Sequence, residues 1–179
     1  GRVDLVTLNS NGVVWRSSWD GSAWDSQELV TWSQFPGGVV AGSHRVLLAD
    51  LDNNGALDLL ASGESGTRVW LADEQAVLTA FDQTIPAEVF GVGDLTADGW
   101  LDLVGIESGI PVRLVGHGSA GYGWQQIRPR AHIAAGDQRI NSFGVGGEIE
   151  VRAGLLVQKQ VITGAPVHFG LGVQEMTDV

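Results

Sequence analysis

The stretch Asp50-Leu51-Asp52-Asn53-Asn54-Gly55-Ala56-Leu57-Asp58 sets oxygen-bearing side chains at its first, third, fifth and ninth places and a glycine at its sixth. A hard cation such as Ca²⁺ takes about six to eight oxygen ligands, and a tightly curled loop supplies them from alternate residues. On this pattern Asp50, Asp52 and Asn54 turn inward, Ala56 gives its backbone carbonyl, and Asp58 closes the cage. Gly55 suits a curl whose backbone conformation a Cβ would penalise. With no cation, three carboxylates this close repel one another and resist ionising together. The loop is not an EF-hand: its twelfth place is Ala61, and Leu57, Leu59 and Leu60 open an apolar run of strand length where that motif has a helix. For one copy alone, an ordinary Asp/Asn/Gly turn is the competing reading.

Repetition favours the cation. Asp94-Leu95-Thr96-Ala97-Asp98-Gly99-Trp100-Leu101-Asp102 repeats the spacing, with Asp94, Thr96, Asp98 and Asp102 at the ligand places and the Trp100 carbonyl where Ala56 stood. A hydroxyl at the third place ligates less strongly than a carboxylate, so the second loop is expected to bind more weakly. The chain opens on the tail of a further copy, Gly1-Arg2-Val3-Asp4-Leu5-Val6, and the loop glycines Gly1, Gly55 and Gly99 are separated by 54 and then 44 residues. Periods of this size belong to solenoids, propellers or arrays.

Each loop leads into the same elements. Val3–Val6, Leu57–Leu60 and Leu101–Val104 read as buried strands, each followed by a Gly/Ser/Asn turn and a second strand. A repeated hairpin of this kind builds the four-stranded blades of a propeller. The segment Asp-x-Asp-x-Asn/Asp-Gly-x-x-Asp-Leu before a hairpin resembles the FG-GAP/VCBS repeat of integrin-α-like β-propellers. That resemblance covers roughly residues 1–115, and it implies Ca²⁺ bound in a loop between the strands of one blade. Only two loops and a fragment are present, so the expectation is a partial propeller from a longer protein, with unpaired strand edges at its two ends.

Four tryptophans, Trp15, Trp19, Trp24 and Trp32, crowd residues 13–35. The spacing predicts a hairpin of Val13–Trp19 and Ala23–Leu29 turning at Asp20-Gly21. Such indoles either stack sugars or pack one blade against the next. Val39–Leu48 and Ala87–Gly93 are expected to lead into the two loops as strands. Residues 71–86 read as outer strands and loops, and Gly116–Gly123 as a connection.

The chain changes character after residue 123. Gln125–Ile133 alternates as a strand would. Glu148, Glu150 and Arg152 alternate with Ile149 and Val151, which marks a strand with one wet face, and Gln158–Thr163 reads as its antiparallel partner. Val167–Gly172 follows as a short strand and turn. Asn141 with Gly144-Val145-Gly146, the Glu148–Ala153 strand, Gln158–Val161 and His168-Phe169-Gly170-Leu171-Gly172 together resemble the ASPIC/UnbV module, which in its family follows FG-GAP repeats. Asn141-Ser142-Phe143 stands where that family usually has asparagine-arginine-aspartate. The fold expected is therefore all-β, a partial propeller over 1–123 followed by a small antiparallel sandwich or barrel-like module over 124–179.

Composition narrows the function. A net charge of −11 argues against nucleic acid or an anionic membrane as partner, and two divalent cations would offset four of those charges. There is no cysteine, so disulfides and cysteine-held zinc are excluded. No apolar run approaches the roughly 18 residues of a membrane span. None of the histidines His44, His117, His132 and His168 has HExxH-like spacing, no GxSxG elbow occurs, and Gly144-x-Gly146-Gly147 precedes strands, not a helix. His168 is read as a hydrogen-bonding residue of its turn, with a ligand or acid–base role as the alternative. Carboxylates within one metal loop are committed to the cation and do not flank a glycosidic bond. The resemblance implies a non-catalytic, secreted or periplasmic calcium-binding module for adhesion or protein recognition. The rivals are a lectin-like propeller and a non-catalytic part of a larger extracellular enzyme.

Overall fold

The computed structural model describes residues 4–33, 35, 42–118, 120–130 and 143–179. Among them every helix or strand is a β-strand, and the strands form several small antiparallel sheets, none closed on itself. The first sheet runs β1 (Asp4–Leu8), β2 (Val13–Trp19), β3 (Trp24–Thr31). Its β2–β3 hairpin is fixed by Asp20, whose Oδ1 accepts the N–H of Ser22 and of Ala23 at 2.7 and 2.8 Å, and Trp19 faces Trp24 across the ladder. The second sheet is a four-stranded meander of β4 (Arg45–Ala49), β5 (Asp58–Gly63), β6 (Gly66–Ala72) and β7 (Leu78–Ala80). The third is β8 (Glu88–Gly93), β9 (Asp102–Glu107) and β10 (Ile110–Leu114). The two oxygen-rich loops are thus the β4–β5 and β8–β9 connections. The strand expected from Val39 is seen from Arg45; positions 39–41, like Gly1–Val3, lie outside the described residues.

The three sheets stack face to face, and β5 shows how. Every residue from Asp58 to Gly63 is buried. Side chains alternate across a strand, so Leu59 and Ala61 pack with Trp70 toward Val14 of the first sheet and Trp32 just beyond its β3. Leu60 turns the other way, with Val69, against Val89 and Leu103 of the third. A strand covered on both faces needs a continuous apolar run rather than an alternating one. A buried hydroxyl adds a polar tie: Thr67 Oγ1 lies 2.8 Å from Ser62 Oγ and from the Ala87 carbonyl, and accepts the Val89 N–H at 3.1 Å.

The C-terminal part comprises β11 (Gly123–Ile127), β12 (Glu148–Ala153), β13 (Leu156–Val161) and β14 (Val167–Gly172). As the alternation predicts, β12 and β13 form a hairpin, with Glu150 opposite Lys159 and their charged atoms 2.9 Å apart on the wet face. β14 pairs with β11, not with the hairpin before it. Ile149, Val151 and Ala153 of β12 meet Val167, Phe169 and Leu171 of β14 in one core, joined by Ile162. Asn141 of the family-like motif, His132 and residues 131–133 of the expected first strand lie outside the described residues.

Candidate metal centre

Asp50 follows the last residue of β4 and Asp58 opens β5, so the chain between them must turn back within a few residues. It does so through two left-handed residues, Asn53 (φ 62°) and Gly55 (φ 93°). The same two places of the second loop, Ala97 (φ 59°) and Gly99 (φ 87°), are also left-handed. The hydrogen bonds repeat as well. Asp58 accepts the N–H of Leu51 at 2.7 Å and of Ala72 at 2.8 Å. Asp102 accepts those of Leu95 at 3.0 Å and Gly116 at 2.9 Å. Asp50 accepts the Gly55 N–H at 2.8 Å, and Asp94 that of Gly99 at 3.0 Å. The ninth-place carboxylate is therefore the staple that ties each loop to the strand beyond the next turn.

The loops differ in what they gather. Asp50, Asp52 and Asp58 each bring a carboxylate oxygen to within 4.8 Å of the others. Among the described residues no such triad forms from Asp94, Asp98 and Asp102. Asp98 is exposed, its carboxyl held below the usual range by the Trp100 N–H and then the Thr96 hydroxyl. The Thr96 hydroxyl also makes a long 3.5 Å contact with Asp94 Oδ1. In the first loop Asn54 braces the curl: its Oδ1 accepts the Ala56 N–H at 2.7 Å and its Nδ2 donates to the Ala72 carbonyl at 2.6 Å.

Electrostatics single out the first loop. Asp50 is 3% exposed, and burial, reinforced by the charges of Asp58 and Asp52 and opposed by the Gly55 N–H, pushes its carboxyl up to about 7. Burial likewise lifts Asp58 to about 6 against the N–H groups of Ala72 and Leu51. Asp50 Oδ1 is buried without a hydrogen-bond partner. A buried carboxylate oxygen with no donor is costly, and three carboxylates with one orphaned oxygen fit a hard divalent cation. Such an ion would supply positive charge to the triad; Asp50, Asp52 and Asp58 would hold it.

A residue that spacing treats as filler proves central. Asn53 is wholly buried; its Nδ2 donates to the Gly99 carbonyl at 2.9 Å, joining the two loops. Its Oδ1 lies 2.7 Å from His168 Nε2 and its carbonyl accepts the Gly172 N–H at 2.8 Å. His168 thus takes the hydrogen-bonding role, stacked on Trp124 at 6.0 Å, with burial holding its pKa below the ordinary value. The only hint in the sequence was that asparagine tolerates the left-handed conformation better than most residues.

The tryptophans divide. Trp32 is core at 6% exposure, Trp15 is half-buried, and Trp19 and Trp24 are 42% and 51% exposed as a tilted pair 5.4 Å apart. No family model, curated protein or solved structure matches this chain.

Proposed function

We propose that this chain is a non-catalytic, calcium-stabilised interaction module, with three sheets that are FG-GAP-type blades of a β-propeller and an ASPIC/UnbV-like module after them. The single observation that carries the reading is the buried, partnerless Oδ1 of Asp50 beside Asp52 and Asp58. The repeat of loop, staple and hairpin at a 44-residue offset supports blades, and the family resemblance supports a secreted or periplasmic setting and a protein partner. Calcium outside cells is abundant, so an affinity of about 10⁻⁴–10⁻³ M suffices there. Calcium's work in this reading is structural: it neutralises the loop and sets where β5 begins. Titration calorimetry with CaCl₂ on chelator-stripped protein tests this, with Asp52→Ala as control. Binding in the parent and loss in the variant are expected; no heat in the parent refutes the proposal.

The exposed Trp19–Trp24 pair favours a second reading, a glycan ligand, because a sugar ring can cover indole faces that the fold leaves open. Glycan-array binding lost in Trp19→Ala, with the melting temperature retained, would support it. An array with no signal for the parent would dismiss it.

A further inference from the structure

The C-terminal module rests on the two loops. Gly170 of β14 lies so close to loop one that a Cβ there would collide with Asp50 Oδ2 and the Asn53 backbone. The space above Gly55 is filled by Leu156, and that above Gly99 by the Trp124 indole. Gly172 donates to the Asn53 carbonyl and His168 meets its side chain, while Asn53 also holds Gly99. The module therefore straddles both loops, and Asn53, between the ligand-place residues Asp52 and Asn54, is the common peg.

This seat has an electrostatic cost. β14 helps to take Asp50 out of water, yet no donor meets its Oδ1. Covering an uncompensated carboxylate opposes seating, whereas a cation in the triad removes that penalty. Conversely, a seated module excludes water from the site, which strengthens ion–carboxylate attraction, and holds Asn53 in the conformation the curl requires. Each event makes the other more favourable.

We infer that divalent-cation binding at Asp50, Asp52 and Asp58 and seating of the C-terminal module on the loops are one linked equilibrium, so that calcium latches the module to the sheets. The inference rests on the calcium reading above. By reciprocity, loosening the module must weaken calcium binding by the same factor that calcium tightens the module.

The test uses the full 179-residue chain with CaCl₂ and a chelator. Hydrogen exchange at the Gly172 amide is measured with and without calcium, and calcium affinity is compared between the parent and His168→Ala, which alters no proposed ligand. The latch predicts Gly172 exchange slowed roughly tenfold by calcium and calcium affinity weakened in His168→Ala by up to the same factor. Calcium binding with unchanged Gly172 exchange overturns the latch and leaves the calcium reading standing. No calcium binding in the parent overturns both. The exchange measurement needs no variant, so it decides the question even if His168→Ala fails to fold.

Discussion

In chelator the protein should show a stability that falls as pH rises. The perturbation is chelation, and the groups responsible are Asp50 and Asp58, which burial lifts from the usual 3.8 to about 7 and about 6. A carboxyl whose folded pKa is raised keeps its proton in the native state after the unfolded chain has released it. Its contribution is therefore complete below the unfolded value and is lost as pH climbs from about 4 to about 7. Lifting Asp50 from 3.8 to about 7 corresponds to about 4 kcal/mol, and lifting Asp58 to about 6 adds at most about 3. For a chain of this size each kcal/mol moves the melting temperature by about 2–4 °C, so a drop on the order of 10 °C between pH 5 and pH 8 is expected in chelator. Calcium at about one hundred times its Kd would return about 2.7 kcal/mol at pH 8. It would return little at pH 5, where protons hold the site. His168 works in the opposite direction, since its lowered pKa costs stability as pH falls below its ordinary 6.5. Asp50→Asn separates the two, because the amide removes only the Asp50 contribution. Scanning calorimetry of both proteins in chelator across this range is the assay. Parallel pH curves for parent and Asp50→Asn would refute the reasoning.

Thr67→Val should destabilise by about 1–3 kcal/mol in urea melts, because it leaves the Val89 N–H and the Ser62 hydroxyl short of their buried partner. Phe169→Ala, at a fully buried site in the C-terminal core, should cost about 3–5 kcal/mol by the same measurement. Gly99→Ala should displace the indole packed on that glycine, seen as a red shift of tryptophan emission relative to the parent. Trp19→Ala, at an exposed position, should change stability by no more than about 1 kcal/mol.

What could be read from the sequence was local and periodic. The loops at 50–58 and 94–102, the hairpin turning at Asp20, and the Glu148–Ala153 strand with its partner each depend on residues close together in the chain. Turn chemistry and alternation report such contacts directly. What escaped was long-range. Asn53 and His168 are 115 positions apart, and nothing in either segment alone marks them as partners. The pairing of β14 with β11 has the same origin: a strand's edge carries no sequence label for a distant mate. The tryptophans were ambiguous because an aromatic in a strand suits a core or an open face equally. Their fate depends on which sheet covers β2 and β3, so Trp32 sank into the core while Trp19 and Trp24 stayed at the hairpin end. The difference between the loops was half visible: Thr96 sets a hydroxyl at the third place where the first loop has a carboxylate, but nothing in the spacing shows that Asp98 lies exposed.

One contrast between the loops bears on how the molecule comes apart. Ala97 holds the left-handed conformation in which Asn53 sits, but it has no side-chain amide to anchor itself. That geometry costs a residue with a Cβ about 1 kcal/mol or more, and an exposed alanine recovers none of it. The β8–β9 turn is thus a spring held open by its neighbours, and gentle heating should free it before the β4–β5 turn. Replacing Ala97 by glycine would slacken that spring, hardening the weaker flank without altering any carboxylate.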